Sequence, residues 1–283
     1  LKIKALVIGL GSIGARHLKN LHYLGVKDIS ALRYRNIPPP TEIPKDIIIF
    51  NDFEDALNSK PEIVIVANPT SMHYEYALKA LKESCHIYIE KPISDKDSGL
   101  NILQEIQIEN NNVVQIGCQL RFHPHLLKIK ELIKSKKLGS IHSVIADVGE
   151  HLPNWHPWED YRKSYASRKD QGGGIVLTMI HDIDYLNWIF GPLRMEKAIG
   201  GKRSPLQIDV EDTEMISFTG KDQIPIHLRM DYWRINPTRT LGIVTDNAEV
   251  LWDYHKCTLK VKFNNGKIKK YVLKKDWNRN ELF

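Results

Sequence analysis

KALVIGLGSIGARHLKNLHYLG, residues 4–25, decides the fold. Its first seven residues, KALVIGL, read as a short strand whose core, Ala5 to Ile8, is uniformly apolar, the pattern of a strand buried on both faces. The run ends in Gly9-Leu10-Gly11-Ser12-Ile13-Gly14. A helix follows with apolar positions Ile13, Leu18, Leu21 and Leu24, and Gly25 stops it. A GxGxxG alone is weak evidence, but here it closes a strand and opens a helix, the context a dinucleotide-binding turn requires. Gly9 permits the tight turn, Gly11 lets a pyrophosphate approach the backbone at the positive end of the helix, and Gly14 lets helix and strand pack closely. Ser12 and Ile13 complete the cofactor-binding turn.

Strand and helix keep alternating beyond this unit. Strands are expected at 28–35, 46–52, 62–70, within 85–92 and at 113–119, and helices at 53–60, 71–84 (Ser71 as N-cap) and 94–111. Residues 37–44, IPPPTEIP, are a proline-rich connector. This rhythm predicts an α/β class with a doubly wound parallel sheet. After about residue 124 it changes. A helix at 125–135 precedes an alternating strand at 140–151, a polar-aromatic loop at 154–174, a helix at 175–191 and strands at 214–220, 224–234, 240–255 and 257–273. Asn264-Asn265-Gly266 marks a hairpin. The second part is read as α+β, with a largely antiparallel sheet covered by helices on one face. The expected division is 1–122, a Rossmann domain, and 123–283, a substrate-binding and oligomerisation domain. NRNELF at the end reads as the start of a helix cut short.

Composition narrows the class. The 283 residues are 42% hydrophobic and 26% charged, which fits a soluble globular protein. No apolar run approaches the roughly 20 residues that cross a bilayer, and the first residues lack the cleavage signature of a secretory leader. The surplus of 40 basic over 34 acidic residues favours an anionic small ligand; its two lysine-rich stretches, 128–137 and 267–275, read as solvated faces and carry no nucleic-acid motif. Cys85, Cys118 and Cys257 form no CxxC pair, which argues against structural zinc or a disulfide framework and for a reducing cytoplasm.

Chemistry concentrates at the carboxyl ends of the early strands. Ligands of doubly wound sheets bind there, so Asn68, Thr70, His73, Glu90 and Lys91 are expected beside the nicotinamide. The second strand ends in Arg33-Tyr34-Arg35-Asn36 rather than a carboxylate. A carboxylate would bind the ribose hydroxyls of NAD; Arg33 or Arg35 would instead pair with a 2′-phosphate, so NADP is favoured over NAD.

These segments together, GLGSIG, ANPTSMHYE, IEKP, GCQLRFHP and GGGIVLTMIHDIDYLNWIFG, span residues 9–191 in order and resemble the Gfo/Idh/MocA oxidoreductases. The resemblance implies hydride transfer between a nicotinamide cofactor and a sugar, sugar acid or nucleotide-sugar carbon. It places Lys91 beside the reacting oxygen, with a cis Lys91–Pro92 bond in many members, and His181 as general acid/base. Asp184, one turn after His181, is a substrate-binding candidate. Many members carry an aspartate one turn before the histidine, where this chain has Leu177 and Thr178. Thr178 is read as a weaker orienting or substrate-binding group, with Asp182 or Asp184 as alternatives. Arg121, Trp158, Tyr165 and Arg168 are further substrate-side candidates, the loop facing a sugar or packing on its own domain or a neighbouring subunit. The open second sheet suggests a homodimer or homotetramer. Three rivals stand beside this reading: a dinucleotide-binding sensor or scaffold with little turnover, a redox-neutral NAD-dependent sugar-modifying enzyme, and a metal enzyme using His151, His156, His181 and Asp182, for which no motif spacing speaks.

Overall fold

The structure, a computed structural model, describes residues 2–34, 42–273 and 282. The chain divides into two compact units: one holds the residues up to Gly117 together with Asp170–Gly172, and the other Cys118–Lys169 and Gly173–Leu282.

The first unit alternates β1 (Lys4–Ile8), α1 (Ser12–Tyr23), β2 (Asp28–Leu32), β3 (Ile48–Phe50), α2 (Phe53–Asn58), β4 (Ile63–Val66), α3 (His73–Lys82), β5 (His86–Ile89), α4 (Leu100–Glu109) and β6 (Val114–Ile116). Its sheet runs β3-β2-β1-β4-β5-β6 with every pair parallel. The order reverses between β1 and β4, so a crevice opens at their carboxyl ends. Val64, Val66, Ile87 and Ile89 pack on one face with Ala77, Ala80 and Leu81 of α3; Ala5, Val7 and Ala31 pack on the other with Leu18 of α1. Burial on both faces is why these strands read as unbroken apolar runs.

Two helix starts differ from the sequence reading. Ser71 lies inside a 3-10 turn, Thr70–Met72, and α3 begins at His73 without a side-chain cap. The segment 94–99 is bent, and α4 begins only at Leu100, behind Gly99 at φ +84°. Asp and Ser in 94–98 compete for backbone bonds and delay the helix.

The second unit holds α5 (Pro124–Lys134), β7 (Ile141–His151), α6 (Ile175–Thr178), α7 (His181–Phe190), β8 (Arg194–Gly201), β9 (Thr213–Thr219), β10 (Pro225–Asp231), β11 (Trp233–Thr245), β12 (Ala248–Asp253), β13 (Thr258–Phe263) and β14 (Ile268–Val272). Its eight strands run β14-β13-β12-β11-β7-β10-β9-β8, antiparallel except for β7 with β10. Alternation is clean: Val144, Ala146 and Val148 are buried while Ile145 between them is 60% exposed. Gly266, at φ +82°, sits in the β13–β14 turn.

Here too the structure corrects the sequence reading. The helix expected at 175–191 is two, broken at Met179 and Ile180. The strand expected at 224–234 ends at Asp231, and β11 starts at Trp233 in a new direction. The stretch 240–255 is a hairpin, β11 turning into β12. Strand β8 was not expected at all. The proposed terminal helix in NRNELF lies almost wholly outside the described residues. No described helix is long and apolar enough to cross a membrane.

Candidate active site

Each glycine of the Gly9–Gly14 turn has a distinct job. Gly9 adopts φ +93°, and a Cβ there would lie 2.8 Å from the Ala67 carbonyl oxygen and the Asn68 nitrogen. A Cβ on Gly14 would collide with the Gly9 carbonyl oxygen, so this glycine sets how closely α1 folds back on β1. A Cβ on Gly11 would meet nothing within 4 Å. Gly11 is also the N-cap of α1 and has no side chain to satisfy the helix's first N–H groups. An open approach to free amide donors at a helix start is a cradle for an anion. Ser12 and Ile13 open the helix, half-buried.

Across the crevice, both side-chain polar atoms of Asn68, Oδ1 and Nδ2, are buried without a hydrogen-bond partner among the described residues. Buried amides are rarely left so. Together with the open Gly11 they fit a dinucleotide's polar groups. Arg33 is half-buried just past β2, its N–H donating to the Phe50 carbonyl at 2.9 Å, and Tyr34 beside it is exposed. Arg35 lies outside the described residues.

Asn68, Thr70, His73, Glu90 and Lys91 are brought to one edge of the first unit. Thr70 is buried against Gly172, whose Cβ would stand 2.8 Å from the threonine Cβ. His73, 1% exposed, faces two carbonyl oxygens: Nδ1 stands 2.7 Å from that of Pro92 and Nε2 2.9 Å from that of Asn68. Burial pushes its pKa below the ordinary histidine value. A neutral ring carries one N–H and donates to one of these carbonyls at a time. Glu90 turns inward, 6% exposed, and His17 Nε2 donates to its Oε1 at 2.7 Å; its Oε2 accepts from the Lys91 N–H at 3.3 Å. Lys91 itself is half-buried, and the Lys91–Pro92 bond is cis.

In the second unit His181 starts α7 and is buried. Arg121 and Asp184, singled out separately in the sequence, form a fork: Nε donates to Oδ2 at 2.9 Å and an Nη to Oδ1 at 2.6 Å. The Asp184 carboxylate raises the Arg121 pKa further. Thr178, the last residue of α6, is buried; its hydroxyl donates to the Gly174 carbonyl and accepts from the Tyr232 hydroxyl at 2.5 Å. Asp182 is buried with Arg239 3.2 Å away, and burial raises its pKa.

The loop residues divide. Trp158 is exposed and tilted against His156, Tyr165 is half-buried and Arg168 exposed. The loop also packs on its own unit: Arg162 forks to Asp160 and reaches Gln207, and the Lys169 N–H donates to Asp209. Among the described residues no group of three or more His, Cys, Asp or Glu side chains is placed to hold a metal ion.

Sequence reasoning missed three groups. His17 lies three residues after Gly14, one turn along α1 and on the same helix face, a spacing that could have drawn attention to it. Tyr232 and Arg239 carried no local signal.

Residues 3–118 match the family model described as an oxidoreductase family with NAD-binding Rossmann fold, and residues 126–251 match the GFO/IDH/MocA C-terminal domain. The chain belongs to the GFO/IDH/MocA oxidoreductase family. An uncharacterised oxidoreductase of Synechocystis sp. is 27% identical over 79% of this chain and 64% of its own length. Inositol 2-dehydrogenase of Rubrobacter xylanophilus is 25% identical over 75% of this chain and 60% of its own. The chain thus spans less than two thirds of these relatives. Among solved structures, levoglucosan dehydrogenase in complex with NADH superposes with a TM-score of 0.82 at 16% identity, covering 100% of this chain and 87% of that one. The WlbA dehydrogenase of Bordetella pertussis, in complex with NADH and UDP-GlcNAcA, gives 0.77 at 17% identity, covering 89% and 74%. At these identities the solved structures share the fold.

Proposed function

We propose that the protein is a nicotinamide-dependent oxidoreductase acting on a hydroxyl or carbonyl carbon of a sugar, sugar acid or nucleotide sugar. The observation that carries this reading is the joint presence, on one edge of the first unit, of the open Gly11 approach, the unpartnered Asn68 amide and the half-buried Lys91. A bound nicotinamide would supply the hydride donor or acceptor. The α1 amides and Gly9–Gly14 would hold the diphosphate, and Asn68, Thr70 and Glu90 would frame the nicotinamide half. Arg33, standing where a ribose-binding carboxylate would repel a 2′-phosphate, supports NADP over NAD. Lys91 donates a hydrogen bond to the reacting oxygen and His181 carries its proton, which imidazole does near neutral pH. Arg121, held flat by Asp184, offers its remaining N–H groups to a carboxylate or phosphate on the substrate.

The test compares NADP with NAD in thermal shift, then follows NADPH oxidation across keto-sugars and nucleotide sugars for the wild type and Lys91→Ala. A larger shift with NAD defeats the arginine argument, and turnover that survives in Lys91→Ala defeats the placing of Lys91 at the reacting oxygen. One observation favours a second reading, a dinucleotide-binding protein with little turnover: Thr178 offers no charge beside His181, and its hydroxyl is already engaged. A large NADP shift without turnover on any sugar is its signature.

We also infer self-association through the uncovered sheet face. Ile145, Met215, Val244 and Leu251 are exposed on it, large apolar side chains of the kind that mark protein interfaces. Sedimentation of the wild type against Ile145→Lys checks this: a monomer in both sinks it.

A further inference from the structure

Lys91 is bracketed by two buried imidazoles. On its amino side, Glu90 finishes β5 by donating its N–H to the Val66 carbonyl at 2.9 Å and turns its carboxylate inward to His17. The His17 ring is held in turn by the edge of Tyr88, with ring centroids 5.1 Å apart. On its carboxyl side, the Pro92 carbonyl lies 2.7 Å from His73 Nδ1. The two histidines sit on different helices. His17 is on α1, whose first turn is the glycine cradle; His73 opens α3, and its other nitrogen reaches the Asn68 carbonyl.

A buried carboxylate–imidazole pair is a poor way to gain stability, because desolvating both groups offsets most of their attraction. What such a pair secures is geometry, since each partner fixes the other in direction as well as distance. We propose that His17 and His73 are positioning residues for the Lys91 amine, tying its backbone from both sides to the two elements that frame the dinucleotide. This rests on the reading of Lys91 as the group that meets the reacting oxygen. It goes further in making the amine's placement depend on the cofactor-binding helices, so that disturbing either helix start displaces Lys91.

The test reads the amine directly. Competitive acetylation with acetic anhydride, followed by mass spectrometry of the Lys91 peptide, gives the relative reactivity of this lysine with no substrate needed. His17→Phe and His73→Phe keep ring bulk and remove the hydrogen bonds; His17→Gln keeps an N–H for Glu90. We expect Lys91 reactivity to change at least about threefold in each phenylalanine variant, the size of a half-unit change in an amine's pKa. In His17→Gln it should return toward wild type. Lys79 and Lys128 serve as internal references on the same chain. Unchanged Lys91 reactivity in folded phenylalanine variants overturns the proposal, as does an equal change at all three lysines, which reports general loosening. If His17→Phe does not fold, His17→Asn, too short to span to Glu90, replaces it, and if His73→Phe does not fold, His73→Leu, which removes both of its carbonyl contacts, replaces it, with the same two outcomes. Failure of the sugar panel would sink the oxidoreductase reading and leave the acetylation result standing, so the two failures are distinguishable.

Discussion

His123 gives the sharpest stability test in the second unit. Its ring is fully buried at the start of α5, against His125, Trp252 and Tyr254. Nδ1 accepts the His125 N–H at 3.2 Å and so caps the helix, which only an unprotonated Nδ1 can do. Burial, then the neighbouring His125 and Arg239, lower its pKa from 6.5 to about 3. A histidine with a depressed native pKa is stabilising while neutral, and its contribution falls as pH drops through the unfolded value. Between pH 8 and pH 5 the two pKa values imply a loss of about 2 kcal/mol from this one ring. Urea unfolding followed by tryptophan fluorescence at both pH values, for the wild type and His123→Asn, isolates it. Asparagine retains a capping acceptor and does not titrate, and the cavity it leaves costs the same at both pH values. The wild type should lose about 2 kcal/mol more than the variant on acidification. Equal losses would refute the claim that this ring must stay neutral.

Gly11→Ala should leave the melting temperature nearly unchanged, because its Cβ meets no atom, yet weaken dinucleotide binding about tenfold or more by fluorescence titration. Gly14→Ala should instead destabilise the fold by about 1–3 kcal/mol or more in chemical denaturation, since its Cβ meets the Gly9 carbonyl. Thr178→Val removes the nearer acceptor of the buried Tyr232 hydroxyl, leaving the Ala166 carbonyl at 3.5 Å, and should cost about 1–3 kcal/mol by the same assay, while Thr178→Ser should cost much less. Arg33→Asp should reverse the order of the NADP and NAD thermal shifts.

The first unit was legible because its strands are buried on both faces and its turns are punctuated by glycine. The second was harder for a reason visible in β8. RMEKAIGG is exposed along most of its length, so neither a continuous apolar run nor an alternation marks it. The break between α6 and α7 hides because apolar spacing continues through Met179 and Ile180, and the change of direction at Tyr232 hides because both flanking segments favour strand. At the site, glycines and the Glu90-Lys91-Pro92 run declared themselves locally. The partners that hold them did not: His17 and Glu90 are 73 residues apart, and so a pair invisible to any local pattern.

Thr178 shows why the local motif and its surroundings must be read together. At the position where the family resemblance leads one to expect an aspartate, this chain has a hydroxyl that donates to the Gly174 carbonyl and accepts from Tyr232. A carboxylate there has no proton to give Gly174 and would set a buried negative charge against that carbonyl oxygen. Tyr232 is itself fully buried, and without the Thr178 oxygen its hydroxyl would have only the Ala166 carbonyl, 3.5 Å away. Threonine and tyrosine are thus a matched pair, and the pair rather than the single substitution distinguishes this site. Helix α6 therefore carries no carboxylate. Asp184 is held by Arg121, and Asp182 is buried with Arg239 and pushed toward its protonated form.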